Sequence, residues 1–215
     1  MPYHVSARAY LQRARAQLDA TTPEGLFYAA FELRAGIQAR MQEYLHAQKS
    51  IAEHKRDDWR LGKLGRTLEN VFQIGDRIAE VAVYDPQAGE FIATLYYTPV
   101  TSELQRNGER LGELLHAMQQ FRRDDDAWWQ STRDFLERIC CQLATACAGT
   151  LLAPLLREPD SHEVVMQGEM FEESHREVLQ KLRARFEICL RVQYLDELPR
   201  VGCNSQCSSD RGFFP

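Results

Sequence analysis

The sequence predicts a mainly α protein, an antiparallel helical bundle with one inserted β-hairpin. Three observations lead there. Apolar residues recur at helical spacing over Phe27–Leu45, Leu104–Met118 and Trp128–Cys147. That pattern changes at Ile78–Tyr84 and Glu90–Tyr97, two runs rich in β-branched and aromatic residues around Asp85-Pro-Gln-Ala-Gly89, which is hairpin chemistry. A chain of 215 residues, 44% hydrophobic and 27% charged, has the length and composition of one globular domain. Residues 1–198 are read as a single helical domain with its hairpin at about 78–97, and 199–215 as an irregular tail.

Ser6 is the expected cap of a short surface helix, Ser6–Leu18, with a thin stripe of Tyr10, Leu11, Ala14 and Leu18. The central helix is Pro23–Gln48. Thr22 supplies a capping hydroxyl, Pro23 suits the first helical position, and Glu24 complements the helix dipole. Phe27, Ala30, Phe31, Ile37, Met41, Tyr44 and Leu45 form its inward stripe over about 39 Å at 1.5 Å per residue. Glu32, Arg34, Arg40 and Glu43 interrupt it, either as a solvated face with charge pairs or, for Glu32 and Arg34, as part of a polar cleft. Gly36 leaves room for a second helix to approach.

His54–Arg66 is polar, contains two glycines and reads as a loop. Trp59 within it is an anchor, the commoner role of such a residue, or a platform for a stacked base. A short helix over Lys63–Gln73 turns Leu64, Leu68, Val71 and Phe72 inward. A lone hairpin is marginal in water, so it has to pack on the helices or pair across a dimer. Beyond it, Pro99 ends the second strand and Ser102 with Gln105 suggests a capping box for a helix over Glu103–Gln120. Asp126 caps a helix over Ala127–Ala148, stopped by Gly149 and expected to pack on the central helix. Thr150–Gly168 is a connection. Glu169–Val192 reads as the last helix, with Lys181, Arg183, Arg185 and Arg191 on its solvated face.

The net charge of −5 argues against broad, non-specific nucleic-acid binding but leaves room for a local basic cleft. No apolar run of about 18 residues exists, so no membrane span is expected. The N-terminal stretch lacks an apolar signal core, which points to the cytoplasm. The 22 arginines against 4 lysines are a compositional bias of the source. Cys140, Cys141, Cys147 and Cys189 fall in apolar helical patterns, as reduced buried thiols do. Cys203 and Cys207 form a CxxxC without the second pair that zinc requires, so no metal site is expected. Phosphate-binding glycine loops, H-E-x-x-H and G-x-S-x-G are all missing, and no basic recognition helix stands out.

The segment FYAAFELRAGIQARMQEYL (Phe27–Leu45) resembles the central helix of a HEPN-type helical domain, with a looser likeness over Tyr96–Met118. This resemblance implies a ribonuclease or an inactive relative, RNA- or nucleotide-binding, of the bacterial toxin–antitoxin or phage-defence kind and working as a homodimer. Active members carry an arginine, then four to six intervening residues, then a histidine. Here the matches are Arg110–His116, Arg40–His46 and Arg157–His162. Histidine would shuttle a proton between the 2′-hydroxyl and the leaving oxygen while arginine stabilises the phosphorane charge, with no metal or cofactor. Arg110 and His116 are the foremost candidates, Arg40 and His46 the second, with Glu32 and Arg34 lining the nucleotide cleft. Each histidine can equally be a helix-packing residue and each arginine a surface charge. A non-catalytic helical interaction module, dimerising through hairpin and helix faces, is the alternative. A haem-binding oxygenase is a distant third, since no histidine here has a haem-specific context.

Overall fold

The computed structural model describes residues 4–48, 51–87, 89–116, 123, 126–157, 164–165 and 189–199. Among them lie six helices and five short strands: α1 Ala7–Asp19, α2 Pro23–His46, α3 Glu53–Arg56, α4 Leu61–Phe72, β1 Ile78–Tyr84, β2 Phe91–Tyr97, α5 Ser102–Leu114, α6 Ala127–Ala148, β3 Leu156–Arg157, β4 Val164–Val165 and β5 Cys189–Leu195. The protein is mainly helical with a small antiparallel sheet.

Local chemistry sets the ends of the main helices. Ser6 accepts from Ala9 N–H, Thr22 from Gly25 N–H and Asp126 from Trp128 N–H, so three N-termini satisfy otherwise orphaned donors as expected. α5 is capped one residue earlier than the sequence suggests. Thr101 accepts from Leu104 N–H, and Ser102 turns instead to the Asp76 carboxylate, 2.7 Å from its N–H and 3.1 Å from its hydroxyl. Gly149 does end α6, but in extended backbone (φ −66°, ψ 142°), not as a left-handed cap. Its value is size: a Cβ there would lie 2.5 Å from Thr98 Oγ1 and 2.9 Å from both Thr98 N and Tyr96 O.

α2 is the centre, packed by α1, α4, α5 and α6. Glu43, late in α2, accepts from Ala7 N–H at the start of α1, so these two run antiparallel. α5 also opposes α2, since Gly108 lies against Ile37 and Gly112 against Arg34. α6 runs parallel to α2: Phe27 meets Trp128 and Trp129 at one end and Arg40 meets Ala146 at the other. α4 is parallel too, with Leu61 near Gly108 and Ile37, and Phe72 against Tyr44. α4 and α6 each run antiparallel to α5: Gly62 and Gly65 of α4 lie against Glu109 and Gln105, while Gln142 and Phe135 of α6 lie against Asn107 and Arg110. The segment holding α3 carries the chain back along α2 before α4 begins, and α6 answers α5, which has already reversed.

The inward stripe of α2 is Leu26, Ala29, Ala30, Leu33, Ile37, Arg40, Met41, Tyr44 and Leu45. Phe31, assigned inward from sequence, is 52% exposed beside Tyr28 at 62%. Gly36 does admit a neighbour closely, because a Cβ there would fall 2.8 Å from Leu143 Cδ2. The loop expected over His54–Arg66 is largely helical, as α3 and the first half of α4. Gly62 and Gly65 do not break α4; they let Glu109 and Gln105 of α5 lie against it.

β1 is the middle strand of the order β2-β1-β5, antiparallel to both neighbours. Val81 pairs with Leu95 on one side and Val192 on the other. Ala79, Val81, Val83, Leu95 and Tyr97 turn to the helices, where Tyr97 meets Tyr44 and Phe72 at ring separations of 5.2 and 5.5 Å. β5 corrects the helix expected over Glu169–Val192. Cys189–Leu195 is a strand, so Cys189 is exposed and Arg191 rests on the Tyr84 ring at 5.6 Å. The rest of that expected helix, with Lys181, Arg183 and Arg185, lies outside the described residues, as do His162 and the Cys203–Cys207 pair. No described helix is long and apolar enough to cross a membrane.

Candidate functional site

Arg40, an expected catalytic residue, is fully buried. Its Nε donates to Ala146 O at 3.0 Å and to the Tyr44 hydroxyl at 2.9 Å, and its terminal nitrogens to Gly149 O at 3.2 Å and the Glu43 carboxylate at 3.0 Å. Thr98 completes the node: its hydroxyl accepts from Gly149 N–H at 3.0 Å and donates to Ala146 O at 2.9 Å. The Tyr44 hydroxyl donates to Thr98 O. Arg40 thus satisfies the orphan carbonyls at the C-terminus of α6, where a cation also suits the helix dipole. Burial pushes the Tyr44 hydroxyl up to about 12, against the opposing pull of Arg40. This geometry is a structural joint between α2, α6 and β2, closed to substrate.

His46 points elsewhere. It is 55% exposed, its Nε2 2.7 Å from Asp57 Oδ1 beyond α3. Six residues apart on one helix, Arg40 and His46 project about 120° from each other. Arg110 is exposed on α5 with its guanidinium 4.6 Å from the Phe135 ring centroid of α6, and His116 is exposed just past the end of that helix. Glu32 bonds Arg13 of α1 at 2.9 Å, whereas Arg34 faces Gly112 of α5. Two residues apart, they lie on opposite sides of α2 and do not share the cleft expected of them.

A cleft of about 730 Å³ lies between α3 and α4. α4 is amphipathic. Leu61, Leu64, Leu68 and Phe72 are buried, which leaves Lys63, Arg66, Thr67 and Asn70 along the opposite face to form one wall. His54 and Lys55 of α3 stand on the other, with Ile51 and Val71 as the apolar floor. Asp58 is the one carboxylate among these lining residues. It accepts from the Arg60 N–H and guanidinium at 2.9, 3.1 and 3.0 Å and lies 3.8 Å from Lys63 Nζ. Hydrogen bonds from the Arg60 side chain and backbone hold its carboxyl down at about 2, so it stays ionised and locally neutralised. The net character of the wall is basic, suited to a phosphate or other anion.

His54, Lys55, Lys63 and Arg66 belong to HKRDDWRLGKLGR, whose polar composition and two glycines are those of a loop and hide its helical faces. The signal was the spacing Lys63, Arg66, Thr67, Asn70 opposite Leu61, Leu64, Leu68, which is one polar and one apolar helix face. A second groove of about 390 Å³ between α4 and α5 carries Glu69 and Asp76 and suits an anion less well. Among the described residues no cluster of His, Cys, Asp or Glu has the makings of a metal site. No family model matches the chain, and no curated protein or solved structure does so either.

Proposed function

We propose that this chain is an RNA- or nucleotide-binding helical protein of HEPN-like kind, working in the cytoplasm as a homodimer, and that the α3–α4 cleft takes its ligand's phosphates. One observation carries the reading. Lys55, Lys63, Arg66 and His54 converge on one cleft where Asp58, the one carboxylate among the described lining residues, is already held by Arg60. An acidic protein that gathers cations on two facing helices makes a local positive potential, which a phosphodiester would recognise by charge and not by sequence.

Binding of a fluorescein-labelled RNA, followed by anisotropy, tests this. The double variant Lys63→Glu, Arg66→Glu is expected to bind at least about tenfold more weakly, with the slope of log affinity against log salt reduced by about two. Unchanged affinity in that variant would remove the cleft from the reading.

Cleavage is a separate step of the same proposal. Arg40 is committed to the α6 terminus, so any metal-independent ribonuclease activity falls to Arg110 and His116, both open to solvent on and just beyond α5. RNA incubated with wild-type protein in EDTA is expected to be cut, and His116→Ala to lose at least about a hundredfold in rate, the usual scale of a general acid–base group. An intact, fully bound RNA would leave a binding protein without nuclease chemistry.

A further inference from the structure

Trp59 lies in the connection between α3 and α4, directly after the cleft-lining Asp58 and outside the lining itself, and is 65% exposed. The anchoring role its residue type suggests is therefore ruled out by its placement. A large apolar ring held in water loses the free energy it would gain on burial, and Trp carries more of that surface than any other side chain.

The ring is also presented on a fixed backbone. On one side the Asp58 carbonyl accepts from Gln42 Nε2 of α2 at 3.4 Å. On the other, Arg60 N–H is held by Asp58 Oδ1 at 2.9 Å, and the Arg60 guanidinium is clamped by both carboxylate oxygens. That guanidinium lies over the Trp59 ring, 5.9 Å from its centroid, so a cation already stands against one face of it. A solvent-exposed aromatic ring beside a cluster of Lys and Arg is the pairing by which unpaired bases and their phosphates are held together.

We propose that Trp59 is the stacking platform for an unpaired nucleobase, so that the compound bound in the α3–α4 cleft carries a base next to its phosphate. This rests on the cleft reading above and adds the ligand's class. A single-stranded RNA and a free nucleotide share this chemistry; a base-paired duplex, with its ring faces already stacked, does not.

The test is competition against a labelled short oligoadenylate RNA by four unlabelled compounds: the same RNA, an abasic phosphodiester of equal length, AMP, and a blunt RNA duplex. Trp59→Ala is expected to weaken oligoadenylate about tenfold and the abasic strand hardly at all, while Trp59→Phe retains most of the affinity. Binding should quench tryptophan fluorescence in the wild type and much less in Trp59→Phe. A strand that outcompetes AMP per molecule identifies RNA as the source of the base, and equal competition identifies the nucleotide.

Stacking is overturned if Trp59→Ala binds oligoadenylate like wild type, or if it weakens the abasic strand as much as the base-bearing one. In either case the Lys63→Glu, Arg66→Glu variant still reports on the cleft by itself. If no phosphate compound binds the wild type, the cleft reading fails and takes the stacking role with it. Because Trp59 is so exposed, its substitution is expected to leave the thermal midpoint unchanged, which separates a lost contact from a lost fold.

Discussion

Arg40→Ala is expected to lower the stability of the protein by about 3–5 kcal/mol, the cost of breaking a buried charged network from one side. The guanidinium joins Ala146 O and Gly149 O at the end of α6 to Tyr44 and Glu43 of α2. Its removal takes the close donor from the buried Gly149 carbonyl and the cation from a half-buried carboxylate, each a desolvation cost without return, while Ala146 O keeps the Thr98 hydroxyl. Glu43 also holds the first N–H of α1, so the loss spreads to a third helix. Arg40→Lys is expected to recover only part of this, because one ammonium cannot reproduce a planar fork that reaches several acceptors at once. Urea unfolding followed by far-UV circular dichroism measures both. A stable Arg40→Ala protein that has lost RNA cleavage would reverse the assignment and return Arg40 to catalysis.

The burial of Arg40 was legible in the sequence from period alone. Ile37, Arg40, Met41 and Tyr44 are spaced i, i+3, i+4, i+7, the spacing of one helix face, and three of the four are apolar. A charge at the second position is on the core stripe, and a buried arginine must find acceptors. The helix ends of α2 and α6 were equally legible, since Thr22, Pro23 and Asp126 act within one turn of their own backbone. β5 was not. Val178, Leu182, Phe186, Cys189 and Leu190 satisfy a helical period, and what makes Cys189–Leu195 a strand is its pairing with β1, more than a hundred residues away in the chain. α4 was half legible: Gly62 and Gly65 look like breakers until Glu109 and Gln105 of α5 supply the reason for their size. The cleft suffered from the same blindness, since its two walls belong to different helices and only folding brings Lys55 to Lys63 and Arg66.

A steep loss of stability is expected as the pH rises above about 10, from tyrosines buried at that same joint. Burial pushes Tyr44 up to about 12, and it drives Tyr97 well above its ordinary value of 10.0, helped by the neighbouring Tyr44. The rings lie 5.2 Å apart, so a charge on one hydroxyl disfavours a charge on the other. The unfolded chain ionises both near pH 10, before the folded one does. Above that point the unfolded state binds fewer protons, so the stability these groups contribute is complete below pH 10 and falls as the pH climbs towards about 12. Each group costs about 1.4 kcal/mol per pH unit in that window, and the pair about twice as much, comparable over two units with the whole stability of a small domain. Tyr96 is also pushed up to about 12, by desolvation and by its hydrogen bond to Glu80, but it is only part-buried on the outer sheet face, where solvent screens its share. The tyrosinate absorbance contributed by Tyr44 and Tyr97 should therefore appear together with the loss of circular dichroism, in one cooperative step above pH 10. Tyr44→Phe is expected to make the pH dependence shallower by one proton, while losing the bond to Thr98. Full tyrosine ionisation in a protein that keeps its native dichroism would mean that Tyr44 and Tyr97 are open to water, and the joint described here would have to be redrawn.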